Sequence, residues 1–158
     1  MNNQAKTTIL VTGATGTVGS EVVKQLASIS SSSSGHKIRA AVHSKNKADK
    51  LKQFDDDKRV ENVELDYTKP ETVSDALNKV DKLYLQTLPV PDVTDICFNL
   101  VKEAKKNNVK YIVKLSAMGA DSSQIYNFTI AWRGRKNNRG LWNTPISSYA
   151  LLHLCKIS

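Results

Sequence analysis

The chain has 158 residues, 40% of them hydrophobic and 24% charged, with a formal net charge of +8. That is enough chain for one domain with a core, no apolar run approaches the length of a bilayer span, and the polar start Met1–Lys6 lacks a signal-peptide pattern. Cys97 and Cys155 show no metal or redox spacing, which predicts reduced thiols in a cytoplasmic protein and excludes a disulfide scaffold.

Ile9 to Val11 is a short β-type run that passes directly into glycines at 13, 16 and 19. Val18, Val22, Val23, Leu26 and Ile29 follow at helical spacing, so a helix is predicted from about Thr17 into the late twenties. A dinucleotide's phosphates need this order. Glycines let the backbone approach the pyrophosphate, and unpaired N–H groups at the helix start face its charge. The spacing is G-x-x-G-x-x-G, not the G-x-G-x-x-G of the general fingerprint. Backbone amides of Thr15, Gly16, Thr17 and Val18 are predicted to hold a pyrophosphate, with Gly13 and Gly19 completing the cofactor loop.

Residues 30–35 read as a serine-rich linker, Lys37–Val42 as a second strand and residues 46–54 as a short charged helix. Asp55, Asp56 and Asp57 read as a solvated turn, and no metal site is expected. Asn62–Leu65 is a third strand ending at Asp66. Thr68-x-x-Glu71 reads as a capping box, with Pro70 in the first turn of a helix reaching about Asn78. Lys82–Gln86 is a fourth strand, and Pro89 and Pro91 break the chain. Val93, Ile96, Cys97, Leu100, Val101 and Ala104 form an apolar helical stripe that stops at Asn107-Asn108. Tyr111–Leu115 is a fifth strand leading into Ser116. The βαβαβαβαβ order predicts an α/β fold: a doubly wound, Rossmann-like parallel sheet with right-handed crossovers and helices on both faces.

Cofactors bind such sheets beyond the carboxyl ends of the strands. After the second strand, an NAD-specific domain usually places a carboxylate on the ribose 2′-OH. Here His43-Ser44-Lys45-Asn46-Lys47 offers a hydroxyl and cations, which favours the 2′-phosphate of NADP over NAD; a solvated basic loop is the alternative. Asp66 and Tyr67 are placed to flank an adenine, unless Asp66 only begins a turn. Gln86, Thr87, Leu88 and Pro89 would line a cofactor ribose. Ser116 sits where a substrate or nicotinamide meets the sheet, yet no His or Asp spacing around it marks an activated nucleophile. Cys97 reads as core packing, and His36 and His153 have no partner that suggests metal or catalysis.

Four stretches, Val11 to Gly19, Lys37 to Val42, Asp66 to Glu71 and Val113 to Ala120, together resemble the NmrA-like branch of the atypical short-chain dehydrogenase/reductases over residues 7 to about 131. The resemblance implies a Rossmann fold that binds NAD(P). Members include NAD(P)H-dependent quinone and isoflavone reductases, and redox-sensing regulators that bind the cofactor without turning it over. The expected partners are therefore a nicotinamide dinucleotide and a small-molecule substrate or a regulatory protein, not nucleic acid or membrane. The Tyr-x-x-x-Lys pair of typical short-chain dehydrogenases is absent: Tyr126 is followed four residues on by Ile130, and Tyr111 by Leu115.

Family members are also considerably longer, so the sheet is expected to be incomplete at its C-terminal side. Without a sixth strand, apolar surface beside the fifth should be exposed, giving marginal stability or self-association. Residues 132–158 form an atypical tail holding both tryptophans, Trp132 and Trp142, five basic residues and no acidic ones. Bases that encode Arg135 to Pro145 can also read, one position later, as E-R-I-I-E-D-S-G-I-P, which looks like the helix and turn the family has there. The single Trp142 codon and the obligatory first base of Asn143 force that glycine. A frameshift near residues 131–135 is the expectation; a genuine basic tail with 146–154 as a short apolar helix is the alternative.

Overall fold

β1 (Thr8–Val11) is buried on both sides: Leu10 faces one apolar cluster, while Ile9 and Val11 face another. A strand with no polar face belongs inside a parallel sheet covered by helices on each side. The structure is a computed structural model that describes residues 7–29, 36–43, 51, 59–87, 90–115 and 152–156. After β1 come α1 (Thr17–Ile29), β2 (Lys37–Val42), β3 (Val60–Glu64), α2 (Pro70–Leu77), β4 (Lys82–Leu85), α3 (Val93–Lys106), β5 (Tyr111–Leu115) and β6 (Leu152–Lys156).

The strand order is β3-β2-β1-β4-β5-β6, and the first five strands run parallel. The direction of winding reverses between β1 and β4. A crevice therefore opens beyond the carboxyl ends of those two strands, where doubly wound sheets bind ligands. Val23 and Ala27 of α1 pack with Leu51 on one face of the sheet; Val73, Ala76 and Leu77 of α2 and Leu100, Val101 and Ala104 of α3 pack on the other. Each fully buried leucine or valine contributes about 1.5–3 kcal/mol of transfer free energy.

The opposite edge of the sheet is closed by charge. The Asp81 carboxylate accepts the Thr8 N–H at 3.0 Å and pairs with Lys110 Nζ at 3.0 Å, tying together the starts of β1, β4 and β5. The Thr8 hydrogen bond, with Lys110 adding to it, holds the Asp81 carboxyl below its ordinary range.

Several sequence expectations change. In α1 the buried positions are Gly19, Val23 and Ala27, while Val18 is 43% exposed and Ile29 67% exposed. Gly19 sits so close to the preceding turn that it sets the helix rotation, and the apolar stripe follows the i, i+4 line through it. Thr68 is not a capping-box residue. The N-cap is Lys69, without a side-chain cap, because the Thr68 hydroxyl donates to Asp66 instead, at 2.7 Å. β3 begins two residues earlier than expected, and β4 ends at Leu85. Within the predicted 46–54 helix, only Leu51 is described; it is helical and buried. α3 does end at Asn107-Asn108: Asn108 takes φ 58°, and Val109 N–H reaches back to the Ala104 carbonyl at 3.0 Å, a Schellman closure.

The parallel part of the sheet stops at β5, as expected, but β5 is not an uncovered edge. Residues 152–156, for which a short helix is the alternative expectation, form a strand; 146–151 lie outside the described residues. β6 pairs antiparallel with the whole of β5, Tyr111 opposite Lys156 and Leu115 opposite Leu152. The backbone groups of β5 need partners, and an extended tail segment meets them as well as a parallel strand would.

Candidate functional site

Thr12 continues the ladder past β1, its N–H donating to the Tyr84 carbonyl at 3.0 Å. Its buried hydroxyl accepts the Gln86 N–H at 2.8 Å and donates to the Gln86 carbonyl at 2.8 Å. This two-way contact fixes the end of β4 against the end of β1, at the point where the winding reverses.

The chain then turns at Gly13, whose φ of +65° suits glycine. Gly16 N–H donates to the Gly13 carbonyl at 3.0 Å, and Ser20 N–H to the Gly16 carbonyl at 2.9 Å, so α1 starts at once. Gly19 lies against the turn: a Cβ there would stand 2.0 Å from the Gly13 carbonyl oxygen. Only glycine lets the helix begin this near the strand. The Gly16 amide, expected among the phosphate donors, is thus committed to the turn itself. The amides of Thr15, Thr17 and Val18 have no hydrogen-bond partner among the described residues. The first turn of α1 contains no acidic residue, whereas α2 has Glu71 there and α3 has Asp95. Of these three helices, α1 alone offers open donors to an anion without a carboxylate beside them.

Gln86 closes one side of the turn. Its side chain runs along Gly13, Cδ lying 3.4 Å from where a Gly13 Cβ would be, and Nε2 lies 4.0 Å from the same point at Gly16.

The end of β3 is built differently. Asp66 Oδ1 accepts the Thr68 N–H at 2.9 Å and its hydroxyl at 2.7 Å, and the Asp66 N–H donates to Thr72 Oγ1 at 3.0 Å. Thr68 holds the Asp66 carboxyl below its ordinary range; His43 and Lys69 add smaller electrostatic pulls. Tyr67 turns inward against the α2–α3 core. Burial pushes its phenol up, against a hydrogen bond with Thr12 that pulls it down. Cys97, expected as core packing, is half-buried and lies outside both apolar clusters; its S–H donates to Thr87 Oγ1 at 3.9 Å.

The structure therefore brings Gly13, Thr15, Gly16, Thr17, Val18, Gly19, Tyr67 and Thr87 to one edge, with His43 and Asp66 near each other on the β2–β3 side. Ser44, Lys45, Leu88 and Ser116 lie outside the described residues. Tyr111 starts β5 and lies at the far edge, opposite Lys82. Sequence reasoning misses Thr12, although a threonine between a buried strand and a glycine turn must find a partner for its hydroxyl. Among the described residues, no three His, Cys, Asp or Glu side chains converge as a metal site requires, and no helix is long and apolar enough to cross a membrane.

Open amides above a glycine turn, at the switch point of a doubly wound sheet, define a dinucleotide-binding α/β domain. Residues 13–143 match the family described as NAD(P)H-binding, and the chain belongs to that family. It is 35% identical over 112 residues to an NAD(P)H azoreductase of Xenophilus azovorans, covering 71% of this chain and 36% of that protein. Among solved structures it is similar to the Citrobacter sp. triphenylmethane reductase complexed with NADP(H), at 30% identity and a TM-score of 0.66 over 82% of this chain and 44% of that one. An NADPH-dependent quinone oxidoreductase of Escherichia coli gives 27% identity and a TM-score of 0.64 over 81% and 42%. NmrA, a negative transcriptional regulator solved with NADP, shares the fold at 20% identity and a TM-score of 0.65 over 84% and 43%. The chain spans less than half the length of each of these relatives.

Proposed function

We propose that the chain is the coenzyme-binding part of an NADPH-dependent reductase that acts on quinone-like or other small carbonyl or unsaturated acceptors. The observation that carries this reading is the set of open amides at Thr15, Thr17 and Val18 above a turn that a Cβ on Gly19 would destroy. The residues fit the coenzyme: a main-chain cradle for two phosphates, Asp66 on the adenosine side and Thr87 on the other. At the end of β2, His43, Ser44 and Lys45 present no carboxylate, which favours a 2′-phosphate. The names of the azoreductase, triphenylmethane reductase and quinone oxidoreductase support a reductase lineage.

When bound, the coenzyme supplies hydride. The chain's own part is to bind and orient it, since no Tyr-x-x-x-Lys pair offers a proton. That absence favours a second reading, a coenzyme-sensing regulatory protein. A fluorescence titration with NADPH and NADH tests the binding, with NADPH expected to bind more tightly; equal affinity would remove the phosphate preference. Steady NADPH oxidation with a quinone separates the reductase from the regulator, which binds without oxidation.

Residues 1–131 make up the binding domain in this reading, and 132–158 a tail of out-of-frame origin. Sequencing the encoding DNA tests that origin: it requires a downstream open frame that encodes the longer family's C-terminal half.

A further inference from the structure

Of the lysines whose side chains are described, only Lys37 and Lys114 are not exposed. Lys37 is paired, its Nζ standing 2.7 Å from Glu61 Oε2. Lys114 has no carboxylate partner among the described residues. Its Nζ donates one N–H to the Leu115 carbonyl at 3.1 Å, and the other two N–H groups have no partner there. A half-buried ammonium without a counter-charge is costly, so this cation marks a place that an acceptor atom completes.

Its position in the sheet points to which atom. Lys114 is in register with Leu85 and leaves β5 on the same α2–α3 face. Leu115 ends β5, so an ammonium on its carbonyl is level with the ligand-binding rim. β5 stands two strand spacings from β1, about 10 Å across the sheet, on the side away from β2 and β3. The coenzyme's phosphates are matched at the β1 turn and after β2, which leaves this cation to the acceptor. A carbonyl acceptor gains negative charge on its oxygen as it is reduced, and fixed N–H donors of a cation suit that oxygen. We propose that Lys114 binds the acceptor's carbonyl oxygen, so that the site takes neutral or anionic acceptors with a reducible oxygen and rejects cationic ones. The inference rests on the reductase reading above.

4-Nitrophenolate carries the charged phenolic oxygen that a reduced quinone carries, and its colour reads both binding and charge state. The full parent chain should bind it, and bound 4-nitrophenol should lose its proton at a lower pH than the free compound. Lys114→Met keeps the length of the side chain and removes the charge. Its phenolate affinity should fall about tenfold, while its NADPH affinity stays within twofold of the parent. Lys114→Arg, which keeps the charge, should recover most of the phenolate binding. Lys114→Met should melt no lower than the parent, because a half-buried charge is gone. No phenolate binding by the parent, or an affinity in Lys114→Met within twofold of the parent, overturns the proposal. So does an equal loss of NADPH affinity, which would make Lys114 a coenzyme residue, or a lower melting temperature, which would mean a structural tether to Leu115. If the parent oxidises NADPH with a quinone and Lys114→Met keeps its phenolate affinity, only this proposal falls. If the parent oxidises no NADPH with a quinone, the reductase reading falls and takes the proposal with it.

Discussion

Two strand-to-helix turns lie at the same edge of the sheet and end in opposite states. The turn from β1 to α1 leaves the amides of Thr15, Thr17 and Val18 unpaired among the described residues. The turn from β3 to α2 pairs more of its groups. Asp66 takes the Thr68 N–H, the Lys69 carbonyl takes the N–H groups of Thr72 and Val73, and Pro70 has none to offer. Glu71 then adds a negative charge where an anion would sit. One helix start thus leaves amides open with no acidic residue in its first turn, while the other pairs most of its amides and carries Glu71 there.

Breaking the open turn has the largest expected effect. Gly19→Val forces a side chain into the Gly13 carbonyl, and NADPH binding should fall at least about a hundredfold, near 2.7 kcal/mol, by fluorescence titration. Thr12→Val removes the link between β1 and β4 and strands the Gln86 amide; urea denaturation should show a loss of about 2 kcal/mol. Val18→Glu makes α1 resemble α2 electrostatically at an exposed position. The fold should be unaffected, while NADPH affinity drops about tenfold and partly recovers at high salt.

The smallest effect belongs to the closed turn. The Asp66 carboxyl is held low in the folded state, so its contribution is complete above the unfolded value, about 4, and is lost as pH falls through the lower folded value. The drop in melting temperature as pH falls below about 4 should therefore be smaller for Asp66→Asn than for the parent.

The open turn is legible in sequence because its chemistry is local: strand, glycines and helix fall within a dozen residues of one another. The closed turn is less so. Thr68-x-x-Glu71 has the letters of a capping box, but a carboxylate two residues upstream competes for the threonine hydroxyl, and a pattern match does not weigh the two. The face of α1 depends on how near Gly19 comes to Gly13, a distance that periodicity does not carry. Thr12 and Gln86 are 74 positions apart, and only the β1–β4 pairing makes them neighbours. β6 is invisible for the same reason, since a short tail segment becomes a strand only where an edge receives it.

The reversed direction of β6 has a practical outcome. It begins level with Leu115, at the ligand-binding rim, and reaches Lys156 opposite Tyr111, at the margin that Asp81 closes. A handle joined directly after Lys156 therefore starts from that remote margin. Immobilising the protein by such a handle should keep the coenzyme rim open to titrant.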